Sequence, residues 1–463
     1  MDVDSDFDLL KILKERVAEN IALHQQHVNP QFAKVLKMIG FDRSYVRGEG
    51  PYLYDVEGRQ YLDMLAGYGV FNLGRNHPVI KKVLTDFINC DYPSLVKMEA
   101  PLTSGLLAEE LKKRVPPNLD TVYFSNSGAE GVETAMKFAR CATGRLRILH
   151  CQHAFHGLTI GALSVNGEDS FRHGFEPLLP NCTAIPYNDL ESLRAELAKG
   201  DVAGFVVEPI QGKGVAVGRD DYLISAAQLC REHGAIFILD EVQTGLGRTG
   251  KLFAREYSGV VPQILVMSKA LSGGFVPVSA VMAERDIFMK VFSSMERCVV
   301  HSSTFGQGAF AMVAGLATLH VLDTEKIVEN AQKMGELFMG GLLELQKRFE
   351  MLKEVRGKGL MIGIEFGRPS SLKLRLGWDL AHKVNSSLFC QAIIIPLMVD
   401  HAVLTQVSGH GLDVIKLLPP LVIKEADVSR FLMAFEDVLK RTHHFPGPVW
   451  EVAKRFGKQL VRR

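Results

Sequence analysis

The sequence lacks the features that mark several large classes of protein. Its 463 residues carry a formal net charge of only +1, so no general attraction to nucleic acid or to an anionic membrane is expected. The longest apolar run, residues 388–399, is too short to span a bilayer and is interrupted by Gln391 and Pro396. The first residues are acidic and lack the basic and then apolar order of a secretory signal. We therefore expect neither a membrane nor a nucleic-acid partner.

The cysteines are few and scattered. The chain has seven of them, and no two form a Cys-x-x-Cys pair. An odd and dispersed set indicates reduced thiols, not a disulfide framework or a zinc cluster. His150, His153 and His156 are evenly spaced, but this spacing does not place three imidazoles on one face of a strand, and no acidic ligand is nearby. We predict a cytoplasmic protein without a metal site.

What the chain does contain is centred on residues 235–269, where two apolar runs end in polar groups. The first run ends in Asp240 and Glu241, and the second, residues 264–267, is followed by Ser268 and Lys269. Short apolar runs bounded by turn residues are typical of strands that are buried on both faces of a parallel sheet. Open α/β sheets bind ligands at the carboxyl ends of such strands. Asp240 and Lys269 are thus expected at the mouth of one crevice.

An acid and a lysine in such a crevice suit pyridoxal phosphate. That cofactor needs a lysine for its Schiff base and a carboxylate that keeps its ring nitrogen protonated. Taken singly, each residue also fits a common structural role, Asp240 as a helix cap and Lys269 as a surface residue.

The glycines of residues 245–250 match two other motifs in part. Their spacing fits a dinucleotide fingerprint, but polar residues separate them from the strand and no long amphipathic helix follows to hold a pyrophosphate. They also fit most of a phosphate-binding P-loop, but Leu252 stands where a magnesium-binding Ser or Thr is required. The P-loop interpretation therefore fails.

A possible anion site follows the predicted strand 121–124. Ser127 and Glu130 have the spacing of a capping box, and a helix start preceded by small residues favours an anion. We predict a phosphate cup formed by Ser127, Gly128 and Ala129, with an ordinary capped helix as the alternative.

Three further segments contribute candidates. Phe155, beside His156, either stacks on a planar ring or packs in the core. Glu208 ends another buried strand, where a carboxylate is costly to bury without a partner. Residues 302–306 offer a hydroxyl and backbone donors of the kind that phosphates need.

Assembled in this way, the sequence resembles the class III (ω-amino) aminotransferases, which are fold-type-I pyridoxal phosphate enzymes. The resemblance covers nearly the whole chain, and its central motif is residues 239–245 followed by residues 268–271. It implies that Lys269 is the Schiff-base lysine and proton shuttle, and that Asp240 is the partner of the ring nitrogen.

The same resemblance implies how the rest of the cofactor is held. Val242 would pack beneath the ring opposite Phe155, and Gln243 would bond the ring oxygen. The other implied cofactor contacts are Ser127, Gly128, Ala129, His156 and Glu208. In the family a threonine from the partner subunit completes the phosphate cup, and it matches Thr304. A homodimer with shared active sites is therefore implied.

The resemblance also bears on the substrate. Residues 67–74 look most like those of putrescine aminotransferases and make Tyr68 a candidate substrate contact. Where ornithine-type and acetylornithine-type members carry an arginine and the glutamate that gates it, this chain has Lys416 and Lys213. Lysine lacks the planar fork with which arginine grips a carboxylate, so both are expected to attract a carboxylate as point charges or to be solvated. The apolar residues 388–399 either pack in the core or line an entrance for a long or hydrophobic amine.

Helices and short apolar strands alternate from about residue 78 to residue 322, which predicts an α/β fold with a mainly parallel sheet covered on both faces. The resemblance implies fold type I, with a seven-stranded sheet in a large domain and a small α+β domain. We expect residues 1–75 to join the small domain, 76–323 to form the large domain, and 324–463 to form a bridging helix and the small domain.

The predicted elements are local. Strands are expected at 121–124, 147–149, 204–207, 236–239, 264–267 and 278–282, and a hairpin at 52–55 and 60–63. Helices are expected within 7–40, at 324–349 and, basic and amphipathic, at 450–463.

The sequence thus predicts a pyridoxal phosphate-dependent aminotransferase. It would move an amino group from a primary amine, a diamine or an ω-amino acid, to an oxo acid such as pyruvate or 2-oxoglutarate. An aminomutase, racemase or decarboxylase that uses Lys269 and Asp240 on the same scaffold is the alternative. A non-enzymatic scaffold protein would have no chemical need for these two residues together with the phosphate cup.

Overall fold

The computed structural model describes residues 7–384, 388–409, 411–444 and 447, so the predicted helix at 450–463 lies outside the described residues. The strands are, in chain order, β1 (Tyr45–Glu49), β2 (Tyr52–Asp55), β3 (Gln60–Asp63), β4 (Leu119–Ser125), β5 (Arg147–Cys151), β6 (Cys182–Ile185), β7 (Val202–Val207), β8 (Ile236–Asp240), β9 (Ile264–Met267), β10 (Ser279–Glu284), β11 (Leu352–Lys358), β12 (Met361–Phe366), β13 (Val403–Leu404), β14 (Gln406–Val407) and β15 (Val414–Leu417).

The helices connect these strands or cover them. They are α1 (Leu9–Arg16), α2 (Asn20–His27), α3 (Pro30–Ile39), the short α4 (Ala66–Gly69), α5 (Pro78–Asn89), α6 (Leu102–Lys112), α7 (Gly128–Thr143), α8 (Ile160–Ser164), α9 (Asp169–Arg172), α10 (Leu190–Leu197), α11 (Tyr222–Glu232), α12 (Arg285–Val291), α13 (Ala309–Thr324), α14 (Ile327–Arg348), α15 (Leu372–Val384), α16 (Leu388–Val399) and α17 (Glu425–Thr442). Gly40 ends α3 in the left-handed conformation.

The largest sheet of the described residues has seven strands in the order β4-β10-β9-β8-β7-β5-β6. Strands β5 to β9 pair in parallel, and β10 runs antiparallel to both β9 and β4. Every residue of β7, β8 and β9 is buried, as the continuous apolar runs predicted. The prediction of a mainly parallel seven-stranded sheet is confirmed.

Helices bury both faces of this sheet. Alternate strand residues belong to two separate core clusters, which α7 joins through Val132 and Phe138 on one face and α11 through Tyr222 and Leu223 on the other. One strand of the sheet was not predicted, β6. It is a short edge strand whose first three residues are partly or fully exposed, so it has no apolar run to signal it.

Two four-stranded sheets are formed by the ends of the chain. The predicted hairpin, β2 and β3, is confirmed, and it belongs to a sheet in the order β1-β2-β3-β13. Strand β13 runs parallel to β3, which joins the N-terminal residues to the C-terminal part of the chain. The other sheet has the order β11-β12-β15-β14. Helices α14 and α17 share a core with it through Phe338 and Phe431.

Helix α16 resolves the alternative for the apolar residues 388–399. Phe389, Cys390, Ile393 and Leu397 are at most 1% exposed, so this segment is core and not the wall of an entrance. Across the described ranges, no helix has both the length and the apolar character that crossing a membrane requires.

Candidate active site

Polar side chains from four strands lie at the carboxyl edge of the large sheet. Asp240 is the last residue of β8, Glu208 directly follows β7, and Ser268 and Lys269 directly follow β9. His156 lies in the loop after β5. Parallel strands all end at the same edge of a sheet, so their topology brings these groups together.

Asp240 is buried and fixed by two partners. Its Oδ2 lies 2.7 Å from Nδ1 of His156, and its Oδ1 accepts a hydrogen bond from the Val242 N–H at 2.9 Å. Burial lowers the pKa of His156, but the hydrogen bond and charge of Asp240 outweigh it, so the pKa is raised overall. A carboxylate accepts hydrogen bonds, so Nδ1 carries a proton here. The pair is a buried carboxylate oriented by an imidazole.

Asn166 fixes the imidazole in turn. Its Oδ1 accepts the His156 backbone N–H at 2.7 Å, and its amide donates to the Gly157 carbonyl at 2.8 Å. Within the described residues, Nε2 of His156 is buried and has no hydrogen-bond partner. Sequence patterns did not single out Asn166, because its contact with His156 depends on the path of the loop between them.

Lys269 begins a short 3-10 helix, Lys269–Ser272, and has a positive φ of 41°. Burial lowers the pKa of its amine, and the negative charges of Asp240 and Glu208 only partly oppose this. A lysine with a lowered pKa is more often neutral, and a neutral amine is the nucleophile. The geometry therefore offers a reactive amine beside a buried acid.

Glu208 braces two loops of the crevice. One carboxylate oxygen accepts the Phe155 N–H at 3.1 Å, and the other accepts the Gly212 N–H at 2.9 Å. Burial raises the pKa of Glu208, although the charge of His156 and the two N–H donors oppose this. Glu208 thereby fixes the backbone that carries the Phe155 ring.

The start of α7 differs in one detail from the predicted capping box. The Ser127 hydroxyl accepts the Glu130 N–H at 3.2 Å, as expected, but the Glu130 carboxylate accepts the N–H of Asn126 at 2.8 Å and not that of Ser127. The reciprocal half of the box is thus displaced by one residue. The first N–H groups of a helix have no acceptor within it, so this start keeps donors for an anion.

Gly128 and Val242 bring this helix start against the crevice floor. A Cβ atom on Gly128 would lie only 2.9 Å from Cγ1 of Val242. A Cβ atom on Gly157 would similarly lie 2.5 Å from that of Ala129. The predicted cup, Val242 and the loop that carries Phe155 and His156 are therefore neighbours.

Gln243 and Lys416 form the other side of the crevice. The Gln243 amide donates to the Tyr68 carbonyl at 3.0 Å, and its oxygen accepts from Nζ of Lys416 at 3.5 Å. Lys416 also donates to the Gly212 carbonyl at 2.7 Å. Burial, together with the charges of Lys269 and Lys213, lowers the pKa of Lys416 to about 7. Tyr68 lies in α4, where Ala66, Gly67, Tyr68 and Gly69 all have positive φ.

Two residues that the sequence analysis did not use as site residues complete this side. Phe171 packs edge-on against Phe155, with ring centroids 5.6 Å apart. Arg248 is fully buried and its guanidinium donates to the carbonyls of Leu360 and Pro419 and to the side chain of Asn72. An arginine in a glycine-rich segment gives no signal of such burial.

Thr304 lies apart from the buried groups. It is exposed on the single chain, and its carbonyl accepts a hydrogen bond from Lys97. The neighbouring Ser303 hydroxyl accepts from the Asn126 amide at 2.7 Å. The segment is therefore anchored beside the start of α7.

These groups fit a phosphorylated pyridine ring. A buried carboxylate suits a protonated ring nitrogen, an amine of lowered pKa suits the cofactor's carbonyl, and a helix start suits its phosphate. Phe155 offers an aromatic face and Val242 an apolar one. The glycine at 128 leaves the space beside Val242 that a Cβ would fill. No other residue type at that position would allow the same approach.

Comparisons with known proteins agree with this geometry. The family model Aminotransferase class-III matches residues 37–439. A putrescine aminotransferase from Pectobacterium atrosepticum is 37% identical over 439 residues, which cover 91% of this chain and 89% of that protein. Aminotransferase PigE from a Serratia species is 34% identical over 447 residues, which cover 90% of this chain. The chain spans about half the length of that relative, 52%.

Solved structures give the same result. The ornithine aminotransferase from Toxoplasma gondii ME49 superposes with a TM-score of 0.80 at 28% identity, covering 92% of this chain and 95% of that one. An acetylornithine aminotransferase from Elizabethkingia anophelis has a TM-score of 0.69 at 31% identity, covering 89% and 98%. The chain belongs to the class III aminotransferases, a family of fold-type-I enzymes that use pyridoxal phosphate.

Proposed function

We propose that this aminotransferase takes an amino group from a diamine or an ω-amino acid and passes it to an oxo acid, with Lys269 and Asp240 as its catalytic residues. The observation that carries the proposal is the buried Asp240–His156 pair, 2.7 Å long, in the same crevice as the amine of Lys269. One matched relative is named for putrescine and the two matched structures for ornithine and acetylornithine, which supports a primary amine as donor.

The same crevice suggests how each residue serves the cofactor. Asp240 would hold the ring nitrogen, with His156 behind it, and Phe155 and Val242 would contact the two ring faces. Gln243 would bond the ring oxygen and Glu208 would brace the loop of Phe155. Ser127, Gly128 and Ala129 would bind the phosphate through the start of α7. When bound, pyridoxal phosphate supplies a ring that withdraws electrons from the substrate carbon.

Lys269 has two tasks in this scheme. Its Nζ would hold the cofactor between turnovers and, once free, would take the proton from the amine-bearing carbon of the donor. An amine whose pKa is lowered by burial is suited to both, because its neutral form both attacks carbonyls and accepts protons. Tyr68 and Lys213 would face the substrate at the outer end of the crevice, whereas Lys416 is buried behind Gly212 and Gln243.

A homodimer with shared active sites is part of the proposal. Large apolar side chains are exposed close to Thr304, since Phe305 follows it in the chain and Met98 follows Lys97, which donates to the Thr304 carbonyl. Exposed apolar surface of this kind marks interaction sites. Met98 is 98% exposed and Phe305 is 67% exposed. A second copy would cover this surface, and the partner subunit's Thr304 would then complete the phosphate cup.

The domain division and the compartment are also proposals. Residues 76–323 would form the large domain, and residues 324–463 would form a bridging helix and the small domain. Residues 1–75 would join the small domain, which the pairing of β3 with β13 supports. A cytoplasmic location is supported by seven cysteines that are all free.

An absorbance titration tests the function. The purified protein, loaded with pyridoxal phosphate, is mixed with putrescine, ornithine and β-alanine in turn, without an oxo acid. We expect at least one amine to convert the visible band of the bound cofactor into the ultraviolet band of its aminated form. Pyruvate or 2-oxoglutarate should then restore the visible band. A bound chromophore that no amine converts would contradict the proposal.

A further inference from the structure

The backbone of residues 212–215, referred to below as the 212–215 turn, is strained. Val215 has a φ of +53°, and Gly214 before it has a φ of +70°. A β-branched residue with positive φ is a true outlier, and Val215 is also fully buried. Strain of this kind persists only where the surroundings over-determine the conformation, and it is concentrated at functional sites.

Side chains from the crevice hold the first residue of the turn. Glu208 accepts the N–H of Gly212 at 2.9 Å, and Lys416 donates to its carbonyl at 2.7 Å. Lys416 is only 6% exposed, and its amine donates hydrogen bonds to this carbonyl and to the side chain of Gln243. Both polar groups of the Gly212 backbone are therefore fixed from inside the site.

Arg356 in β11 and Ser408, directly after β14, hold the other end of the turn with their side chains. The Ser408 hydroxyl accepts the N–H of Gly214 at 2.9 Å. Arg356 donates to the Gly214 carbonyl at 2.7 Å and to the Val215 carbonyl at 3.1 Å. Side chains from both sides thus hold the turn in a conformation that its sequence alone would not favour.

The residue that this turn presents is Lys213. Its Nζ lies 4.3 Å from the centroid of the Phe171 ring and 5.6 Å from that of the Phe155 ring. Among the described residues, these aromatic faces are its close contacts, and no carboxylate pairs with it. Lys213 is partly exposed, unlike Lys416. An ammonium held over aromatic faces keeps its hydrogen-bond donors for a further anion.

We propose that Lys213 determines the specificity for the amino acceptor by contacting a carboxylate of the oxo acid, and that Lys416 is a positioning residue that acts on Lys213 through Gly212. This inference rests on the proposed aminotransferase function. The different contacts of the two lysines support different roles. Lys213 lies beside the Phe155 ring with donors available to a substrate, whereas Lys416 donates to groups within the protein.

The first test is Lys213→Met in the cofactor-loaded enzyme, with 2-oxoglutarate, pyruvate and the uncharged acceptor butanal. Hydrogen bonds to charged groups contribute enough that their loss changes binding by about tenfold or more. We expect KM for both oxo acids to rise by at least about tenfold while KM for the uncharged butanal stays unchanged. Lys199→Met, which removes an equal charge from an exposed helix end, serves as the control.

Equal oxo-acid KM values in Lys213→Met and the wild type would overturn the inference, as would an equal rise for butanal. Failure of the proposed function would be distinct, because then no amine would convert the cofactor in the wild type. Lys213→Glu gives a second readout. Its reversed charge should raise the oxo-acid KM further than Lys213→Met does, and a smaller rise would count against a direct contact.

A double-mutant cycle tests the positioning role of Lys416. Lys416→Met should raise the oxo-acid KM in the wild type, because the 212–215 turn loses its bond at Gly212. In the Lys213→Met background the same change should have less than about a twofold effect, since a residue that acts through another adds little once the other is gone. If the fold increase in oxo-acid KM of the double variant equals the product of those of the two single variants, the two lysines act independently. That result would overturn the positioning role of Lys416.

Discussion

Asp240 is held in place by hydrogen bonds from His156 at 2.7 Å and from the Val242 N–H at 2.9 Å. A cation that binds next to this carboxylate is therefore stabilised by a negative charge that is already correctly oriented. Asp240→Asn retains the shape and removes the charge. We expect the amine half-reaction to slow by about 100-fold or more, the order seen when one preorganised electrostatic group is removed. Stopped-flow absorbance of the cofactor with saturating amine measures it.

The chain provides a matched control for this prediction. Asp437 pairs with His401 at 2.9 Å on the surface, so Asp437→Asn makes the same change in a His–Asp pair far from the crevice. The rate of its amine half-reaction should equal that of the wild type. If the rate of the amine half-reaction of Asp240→Asn is within about threefold of the wild-type rate, the ring nitrogen does not depend on this carboxylate.

Lys416 carries a prediction about pH. Its pKa is lowered to about 7 by burial and by the charges of Lys269 and Lys213, whereas an unfolded lysine titrates near 10.4. Between these values the unfolded chain holds a proton that the folded protein has released, so stability increases as the pH rises through this window. Below about pH 7 both states are protonated and this contribution to the slope ends.

Lys416→Met should therefore reduce the rise of stability between pH 7 and 10 by up to about 1.4 kcal/mol per pH unit. Urea unfolding of the cofactor-free protein, in which Lys269 keeps its free amine, measures the slope at a fixed protein concentration. The exposed Lys199→Met should keep the wild-type slope. If the unfolding free energy of Lys416→Met depends on pH with the same slope as that of the wild type, burial does not lower the pKa of Lys416 as its contacts indicate.

At this scale the sequence could locate side chains that end a buried strand. Asp240, Glu208 and Lys269 each follow such a run, and the topology of a parallel sheet does the rest. It could not locate Asn166, Phe171 or Arg248. Their contacts depend on how loops and distant backbone carbonyls come together in the fold. The hydrophobic periodicity of neighbouring residues contains no information about such contacts.

Among the elements, the start of α7 is where glycine matters most. Gly128→Ala adds a Cβ atom that would lie 2.9 Å from Cγ1 of Val242, so the helix start and the crevice floor must move apart. Overpacking of this kind costs roughly 1–3 kcal/mol, and here it displaces the N–H groups proposed to bind phosphate. We expect the Kd for pyridoxal phosphate to rise about tenfold, measured by fluorescence titration of the cofactor-free protein.

Gly105→Ala is the matched control. Gly105 lies in α6, where an added Cβ meets nothing within 4 Å, so alanine should leave the Kd unchanged and stabilise the helix slightly. A Gly128→Ala protein that binds the cofactor like the wild type would remove the start of α7 from the phosphate site.

Element prediction succeeded where one physical signal dominated. The buried strands β7, β8 and β9 have continuous apolar runs, and the hairpin of β2 and β3 has a turn signal between its strands. Strand β1 and strand β6 were missed because both are partly exposed edge strands. The predicted capping box at Ser127 is wrong in one half, since the Glu130 carboxylate accepts the N–H of Asn126 at 2.8 Å and not that of Ser127.

At the scale of the whole molecule, the pairing of β3 with β13 joins residues more than three hundred positions apart, and no periodicity in the sequence foretells it. The proposed sharing of active sites between two subunits would be a second long-range feature. Thr304 is exposed on one chain, and the exposed apolar residues Phe305 and Met98 lie close to it, Phe305 as the next residue and Met98 beside Lys97, which bonds the Thr304 carbonyl. If a partner subunit uses it, the two halves of one site come from different chains.

Mixing two inactive variants tests this. Lys269→Ala lacks the amine proposed to be catalytic but keeps Thr304, whereas Thr304→Asp keeps Lys269 but places a negative charge at the proposed phosphate site. In a heterodimer of the two, one site receives both defects and the other receives neither. Random pairing makes about half of the dimers heterodimers with one intact site of two, so about a quarter of the wild-type activity should return.

The recovery has to follow exchange of subunits. The variants should therefore be mixed after mild denaturation and refolding together, and compared with the same proteins refolded apart and then combined briefly. Activity only in the first sample would place Thr304 opposite the Lys269 of another chain. If both samples stay inactive although mixed dimers are present, each chain uses its own Thr304, and the exposed surface around Met98 and Phe305 must then serve assembly alone.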